Sequence, residues 1–288
     1  MTKVYLNGEF IEQAQACIPA MDRGFLFGDA VYEVIPAYGG HLLQLEAHLK
    51  RLEQSLTAIH MRNPLSPSAW REILLQLLRE RPGQDQSLYL QVTRGVMPGR
   101  DHAIPEDIRP TVFAQASPLT PVAREVLQKG ISAVVLEDIR WTHCDIKATT
   151  LLANILLKEE ARRRGADEAI LKRDGKITEG AACNVFAVLR GEIVTPPKGR
   201  FLLPGITRDL LLELAHSAGL PCREAVISAD ELAAAEEVWI TSSSREVLPV
   251  TRLDREPVGV GEPGPLWRRI RALFERHIDH LRKGQEAT

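Results

Sequence analysis

The chain has 288 residues, 44% hydrophobic and 26% charged, an ordinary balance for a globular protein long enough to form two domains. A formal net charge of -2 creates no field that would draw nucleic acid or a membrane surface, and the 5% aromatic content is not interleaved with basic residues in the way that stacks bases. Cys17, Cys144, Cys183 and Cys222 are scattered, with no C-x-x-C and no His at ligand spacing. That pattern predicts no disulfide, no metal site and a reducing, cytoplasmic setting. The opening MTKVYLNGEFIEQ lacks an apolar signal core, and no window is long enough to span a bilayer, so no membrane association is expected.

VYLNGEFI reads as a hairpin turning at Asn7-Gly8. Gly24 and Gly28 mark a tight loop before the strand AVYEVIPAY, in which the two-residue period puts Tyr32 and Val34 on one face. Leu45, Leu49, Leu52, Leu56 and Ile59 recur at three and four, predicting an amphipathic helix over residues 44–61 with Arg51 beside its apolar stripe. Such an arginine ordinarily lays its stem along the core edge. Ser66 caps a second helix with Pro67 at its first position and Trp70, Ile73, Leu74, Leu77 and Leu78 as its buried face. The strands SLYLQVTRG and PTVFAQAS flank a Pro- and Gly-rich loop in which Arg100 and His102 are one residue apart. The two prolines of ASPLTP make 116–121 the expected linker between a small α/β domain, 1–115, and a larger domain, 122–288.

The second half opens on an apolar, β-branched run that predicts a buried strand from Ile131 to about Trp141. A helix is expected from Thr149 or Thr150, with Leu151, Leu152, Ile155 and Leu156 as its apolar face, Arg162 to Arg164 in its last turn and Gly165 as the stop. Lys147 lies in the short connection between them. Partial burial there would lower its pKa and let a neutral amine attack a carbonyl, although most lysines in such places are simply solvated. Glu179 ends the following hairpin, which turns at Asp174-Gly175; NVFAVLRGEIVTPP forms another, turning at Arg190-Gly191. In LLPGITRDLLLELAHSAGL, Thr207 is the expected cap of a helix whose free first-turn amides could bind an anion; most such helix starts hold none. EVWITSSSREVLPV is a strand running into a hydroxyl cluster, ordinarily a plain turn. A closing helix carries Leu266, Ile270, Leu273 and Phe274 on its inner side.

The segment EDIRWTHCDIK followed by TEGAACN, lying in order between VYLNGEF and ITSSSREVLPV, resembles the pyridoxal-phosphate enzymes of fold type IV. Within them it is most similar to the D-amino acid (D-alanine) aminotransferases, over nearly the whole chain. The resemblance implies a mixed α/β (α+β) fold of two domains with pyridoxal 5'-phosphate in the interdomain cleft, the C-terminal domain carrying the cofactor lysine, and a homodimer. It implies that Lys147 is the Schiff-base lysine and proton carrier and that Glu179 partners the pyridine nitrogen. It further implies that Leu203 packs on the cofactor ring, that Arg51, Ile206 and Thr207 hold the phosphate, and that Ser242 and Ser243 lie near phosphate and substrate. Tyr32 and Val34 would face the substrate, and Arg100 and His102 would hold its α-carboxylate across the dimer interface. The implied activity moves the amino group of D-alanine or D-glutamate to 2-oxoglutarate or pyruvate. The alternatives on the same fold are a branched-chain L-amino acid or (R)-amine transaminase, or an aminodeoxychorismate lyase; those relatives generally lack the Arg-x-His pair. Two features depart from the pattern: Ala181-Ala182-Cys183 stands where many D-amino acid aminotransferases carry serines, and the loop bearing Arg100 is one residue longer.

Overall fold

The computed structural model describes residues 2–285, which separate into two compact units. The first takes the chain up to Thr120, the short segment Ile146–Leu151 and the chain from His280 onward; the second takes Pro121–Asp145 and Leu152–Asp279.

In chain order the first unit contains β1 (Lys3–Leu6), β2 (Glu9–Glu12), α1 (Arg23–Phe27), β3 (Ala30–Tyr38), β4 (His41–Leu42), α2 (Leu45–Ala58), α3 (Pro67–Leu78), β5 (Gln86–Thr93) and β6 (Thr111–Pro118). Its six strands form an antiparallel sheet in the order β2-β1-β6-β5-β3-β4. Val31 and Ile35 of β3 and Leu88, Leu90 and Val92 of β5 alternate onto the face covered by Leu49, Leu52 and Leu56 of α2 and Trp70, Leu74 and Leu77 of α3. The Asn7-Gly8 turn has positive φ at both residues, and Ser66 Oγ accepts the Ala69 N–H at 3.2 Å, as the sequence predicts.

The second unit contains α4 (Arg124–Lys129), β7 (Ile131–Glu137), α5 (Leu152–Arg163), β8 (Glu168–Arg173), β9 (Lys176–Gly180), β10 (Asn184–Leu189), β11 (Glu192–Thr195), α6 (Ile206–Ser217), β12 (Cys222–Glu224), α7 (Ala229–Ala233), β13 (Glu237–Ser242), β14 (Glu246–Leu253), β15 (Glu256–Pro257) and α8 (Pro265–Arg282), whose last turn groups with the first unit. A mixed sheet runs β12-β11-β10-β13-β14-β7-β8-β9, with β15 beside β14. Ile131, Ile170, Val185, Val194, Ile240 and Val250 from six of its strands share one core.

Several elements differ from the expectation. Thr207 does not cap α6; the cap position is Gly205, and Thr207 is buried in the first turn. Strand β6 runs on to Pro118, paired with Gln86, so part of the expected linker 116–121 is sheet. Strand β7 stops at Glu137 rather than near Trp141, because the Asp138 carboxylate takes both the N–H and the guanidinium of Arg140 and turns the chain. Lys147 groups with the first unit rather than with the C-terminal domain. Its carbonyl accepts the Tyr32 N–H at 3.0 Å, Ala148 bridges Val31, and the Thr149 N–H reaches Ala30 O at 3.0 Å. That pairing also holds the chain extended, so α5 starts only at Leu152. On α5 the expected apolar face is not the buried one. Leu157 and Ala161 pack on β7 and β8, while Leu152, Ile155 and Leu156 are 69%, 62% and 53% exposed.

Candidate active site

In the first unit Lys147 is fixed through its main chain. Besides the bonds to β3, its N–H donates to Ser55 Oγ of α2 at 3.2 Å. The half-buried side chain places Nζ 4.3 Å from the centroid of the Tyr32 ring. Tyr32 and Val34 share a sheet face, as predicted, and Tyr89 of β5 stands beside Tyr32 at 5.6 Å between ring centroids. The Tyr89 hydroxyl donates to Gln91 Oε1 at 2.6 Å, and burial pushes its pKa up to about 12, so it stays a neutral donor.

Arg51 is buried, and sequence reasoning missed what holds it. Glu33 lies on the core face of β3, between Val31 and Ile35, and is fully buried. Its Oε1 and Oε2 accept from Nε and Nη2 of Arg51, both at 2.7 Å, and Oε2 lies 2.8 Å from Nδ1 of His48. Burial pushes Glu33 up, but the Arg51 charge and hydrogen bonds outweigh it and hold the carboxyl at about 2. A glutamate at a core position of a period-two strand, with Arg and His three residues apart on the next helix, is the sequence signal that could have found this group.

Arg100 and His102 are exposed, and one aromatic ring gathers them. Arg100 Cζ lies 4.9 Å from the centroid of Phe27, and the His102 ring 5.1 Å from it. Gly28, in the left-handed region at φ 65°, ends α1 directly after Phe27. Buried Arg23 holds the loop from behind. Its Nη1 donates to the carbonyls of Asp101 and Ala103 at 2.7 and 3.1 Å, and its Nε to Asp29 at 2.8 Å. Neither Arg23 nor Phe27 stood out in DRGFLFGD.

The second unit assembles a different group. Glu179, 4% exposed at the end of β9, receives Arg140 Nη1 on Oε1, and on Oε2 it receives Asn184 Nδ2 at 3.2 Å and the Leu203 N–H at 3.1 Å. Burial pushes its carboxyl up to about 7, with Arg140 acting against that rise. Asn184 Nδ2 also donates to Leu203 O at 2.9 Å, and a Cβ at Gly205 would run into Asn184 Oδ1. Glycine is therefore required where α6 begins. Because Gly205 offers no side-chain cap, Ile206 and Thr207 open a helix whose first-turn amides receive none. Ser242 ends the strand paired with Asn184 and Ser243 follows it, and Ser242 Oγ accepts the Arg245 N–H at 3.1 Å. Of the residues at the missing serines, Ala181 and Cys183 are buried, and burial raises the Cys183 thiol far enough to keep it protonated.

Among the described residues no His, Cys, Asp and Glu cluster suits a metal ion, and no helix is long and apolar enough to cross a membrane. The chain thus carries a pinned lysine beside a tyrosine, a buried carboxylate with three donors, an arginine locked by a second buried carboxylate, and an uncapped glycine-led helix start.

The family model for amino-transferase class IV matches residues 30–253. A D-alanine aminotransferase of Bacillus licheniformis is 40% identical over 276 residues, 96% of this chain and 97% of that protein. One of Staphylococcus haemolyticus is 38% identical over 97% of this chain and 99% of its own length. Among solved structures, a branched-chain amino acid aminotransferase of Escherichia coli superposes with a TM-score of 0.90 at 29% identity, covering 96% of this chain and 94% of that one. A branched-chain amino acid aminotransferase from Thermobaculum terrenum, solved in its PLP-form, reaches 0.86 at 25% identity with the same coverage. The segments that carry Lys147, Glu179, Gly205 and Ser242 all fall inside the matched range, and the chain belongs to the class IV aminotransferases.

Proposed function

We propose that this chain is a pyridoxal-phosphate-dependent D-amino acid transaminase, moving the amino group of D-alanine or D-glutamate to 2-oxoglutarate or pyruvate. The observation that carries the substrate reading is the Arg100 and His102 pair gathered on Phe27. A guanidinium and an imidazole that both rest on one ring carry the donors that a carboxylate accepts. The curated relatives support the same reading. D-alanine aminotransferases stand at 36–40% identity, whereas the structurally similar branched-chain enzymes stand at 25–29%.

The residues present fit the cofactor. When bound, pyridoxal phosphate supplies an electron sink for the carbanion left by breaking a Cα–H bond. Lys147 is the one residue proposed to be both covalent anchor and proton carrier; main-chain bonds fix its backbone while the amine moves. Glu179 is assigned to the ring nitrogen and Leu203, whose N–H touches Glu179, to the ring face. Arg51, Ile206, Thr207, Ser242 and Ser243 are assigned to the phosphate and its surroundings; at Gly205 a side chain would collide with Asn184. Tyr32 and Val34 are assigned to the substrate. The four cysteines are free thiols, which fits the reducing cytoplasm inferred for the enzyme.

We further infer a homodimer in which Arg100 and His102 serve the partner's site. Leu152, Ile155 and Leu156 support it: spaced at three and four, they give α5 an exposed apolar stripe opposite its buried face. Ile155→Glu is expected to convert a dimer into monomers, read as mass by light scattering; a wild type of monomer mass would remove the proposal.

Lys147→Ala is expected to abolish turnover and the long-wavelength absorbance of lysine-bound cofactor. Normal absorbance and turnover in that variant would take Lys147 out of the mechanism. For Arg100→Ala, KM for D-alanine should rise more than kcat falls, because the carboxylate contacts exist in ground and transition states alike. Loss of a charged hydrogen bond of about 1.5–3 kcal/mol lowers kcat/KM roughly ten- to a hundred-fold. (R)-1-phenylethylamine, assayed with an aldehyde acceptor, has no carboxylate and should be spared. Equal losses for both donors would mean that Arg100 serves only to hold its loop.

A further inference from the structure

The tripeptide Asp138-Ile139-Arg140 is turned inside out for a chain leaving a strand. Ile139 and Trp141 face solvent, whereas the side chains of Asp138 and Arg140 are 0% and 6% exposed. Burying an arginine and an aspartate while exposing an isoleucine and a tryptophan reverses the usual hydrophobic preference, so the charges must be held inside by something specific. Their contacts show what it is. Arg140 lays one edge of its guanidinium on Asp138, with Nε to Oδ1 and Nη2 to Oδ2, both at 2.9 Å. Nη2 also reaches Phe201 O at 3.2 Å, and the remaining nitrogen, Nη1, meets Oε1 of Glu179. Asp138 is itself fixed by the Arg140 N–H at 3.1 Å, by Thr178 Oγ1 at 3.2 Å and by Arg173 Nη2 at 3.3 Å.

We propose that Asp138 and Arg140 are positioning residues that act through Glu179: Asp138 fixes the plane of the guanidinium, and Arg140 keeps the Glu179 carboxylate charged and aimed. The inference rests on Glu179 being the partner of the ring nitrogen. Of the three donors on Glu179, Asn184 and the Leu203 N–H are neutral dipoles, and Arg140 alone brings a full charge. A carboxylate taken out of water loses most of its hydration, and neutral donors replace that only in part. Without the guanidinium, Glu179 takes up a proton, and a neutral acid no longer favours a protonated ring nitrogen. Lysine at position 140 would keep the charge but not the fork, since an ammonium cannot lie flat on Asp138 and still present a second fixed nitrogen to Glu179. Arg173 balances the excess negative charge on Asp138, so the arrangement holds two carboxylates and two guanidiniums.

The test uses holoenzyme loaded with pyridoxal phosphate labelled with 15N in the ring. The nitrogen shift reports protonation independently of turnover, and it is read in wild type, Glu179→Gln, Arg140→Met, Arg140→Lys and Asp138→Asn. Wild type should show the protonated position, and both Glu179→Gln and Arg140→Met the neutral one. Arg140→Lys should keep the protonated position but lose roughly ten-fold in single-turnover proton removal from D-alanine, the low end expected for a misaimed charged hydrogen bond. Asp138→Asn should move part of the way to the neutral position. A shift in Glu179→Gln with none in Arg140→Met would overturn the proposal and leave the role of Glu179 standing. An unmoved Glu179→Gln would overturn that role and the proposal together. If Arg140→Met yields no folded holoenzyme, Arg140→Lys and Asp138→Asn decide: both matching wild type in shift and rate would overturn the proposal.

Discussion

A carboxylate taken out of water is the constraint from which the second unit's site is built. Glu179 would discard its charge at neutral pH if burial acted alone, since an uncompensated buried ion loses several kcal/mol of solvation. Its three donors oppose that: the Arg140 guanidinium on one oxygen, Asn184 and the Leu203 amide on the other. The same contacts tie distant segments together. Asn184 opens β10, Leu203 precedes α6, and the Asn184 side chain leaves no room at Gly205 for anything but hydrogen. The carboxylate proposed to partner the ring nitrogen is thereby tied to the place where the helix starts.

The first unit solves a similar problem with the opposite result. Glu33 is equally buried, yet two hydrogen bonds from Arg51 and one from His48 leave it among the most firmly ionised carboxylates of the protein, at about 2. Glu179, with a single nitrogen of its arginine and a second carboxylate nearby, sits at about 7. Glu33 therefore acts as a rigid holder of Arg51, whereas Glu179 is poised where a neighbouring positive charge decides its state. The main chain of Lys147 is held between β3 and α2, which fixes its Cα, and its amine lies over the Tyr32 ring.

Much of this was legible in the residues. Periodicity gave α2, α3, β3 and β5, and the dipeptides Asn7-Gly8, Asp174-Gly175 and Arg190-Gly191 marked turns with positive φ at both positions. Lys147, Glu179 and the Arg100–His102 pair came from motif resemblance. What stayed hidden was long-range pairing. The return of Ile146–Leu151 to β3 depends on main-chain hydrogen bonds that carry no side-chain signature. On α5 two apolar stripes compete, and only the sheet beneath decides that Leu157 and Ala161 go inward while Ile155 stays out. Arg23 and Phe27 belong to no short chemical motif, and Arg140, although inside the segment EDIRWTHCDIK, was not singled out there because its partners Glu179 and Phe201 lie far along the chain.

The solved relatives named as branched-chain enzymes share the scaffold, so the scaffold alone does not choose the substrate. The choice rests on the carboxylate clamp proposed for Arg100 and His102 and on the D-alanine aminotransferases among the relatives. The most direct test is a coupled assay of the purified holoenzyme with 2-oxoglutarate as acceptor, offering D-alanine, L-alanine and L-leucine in parallel. The account predicts that pyruvate forms from D-alanine and that both L-amino acids are left unconsumed. Turnover of L-leucine exceeding that of D-alanine would contradict it.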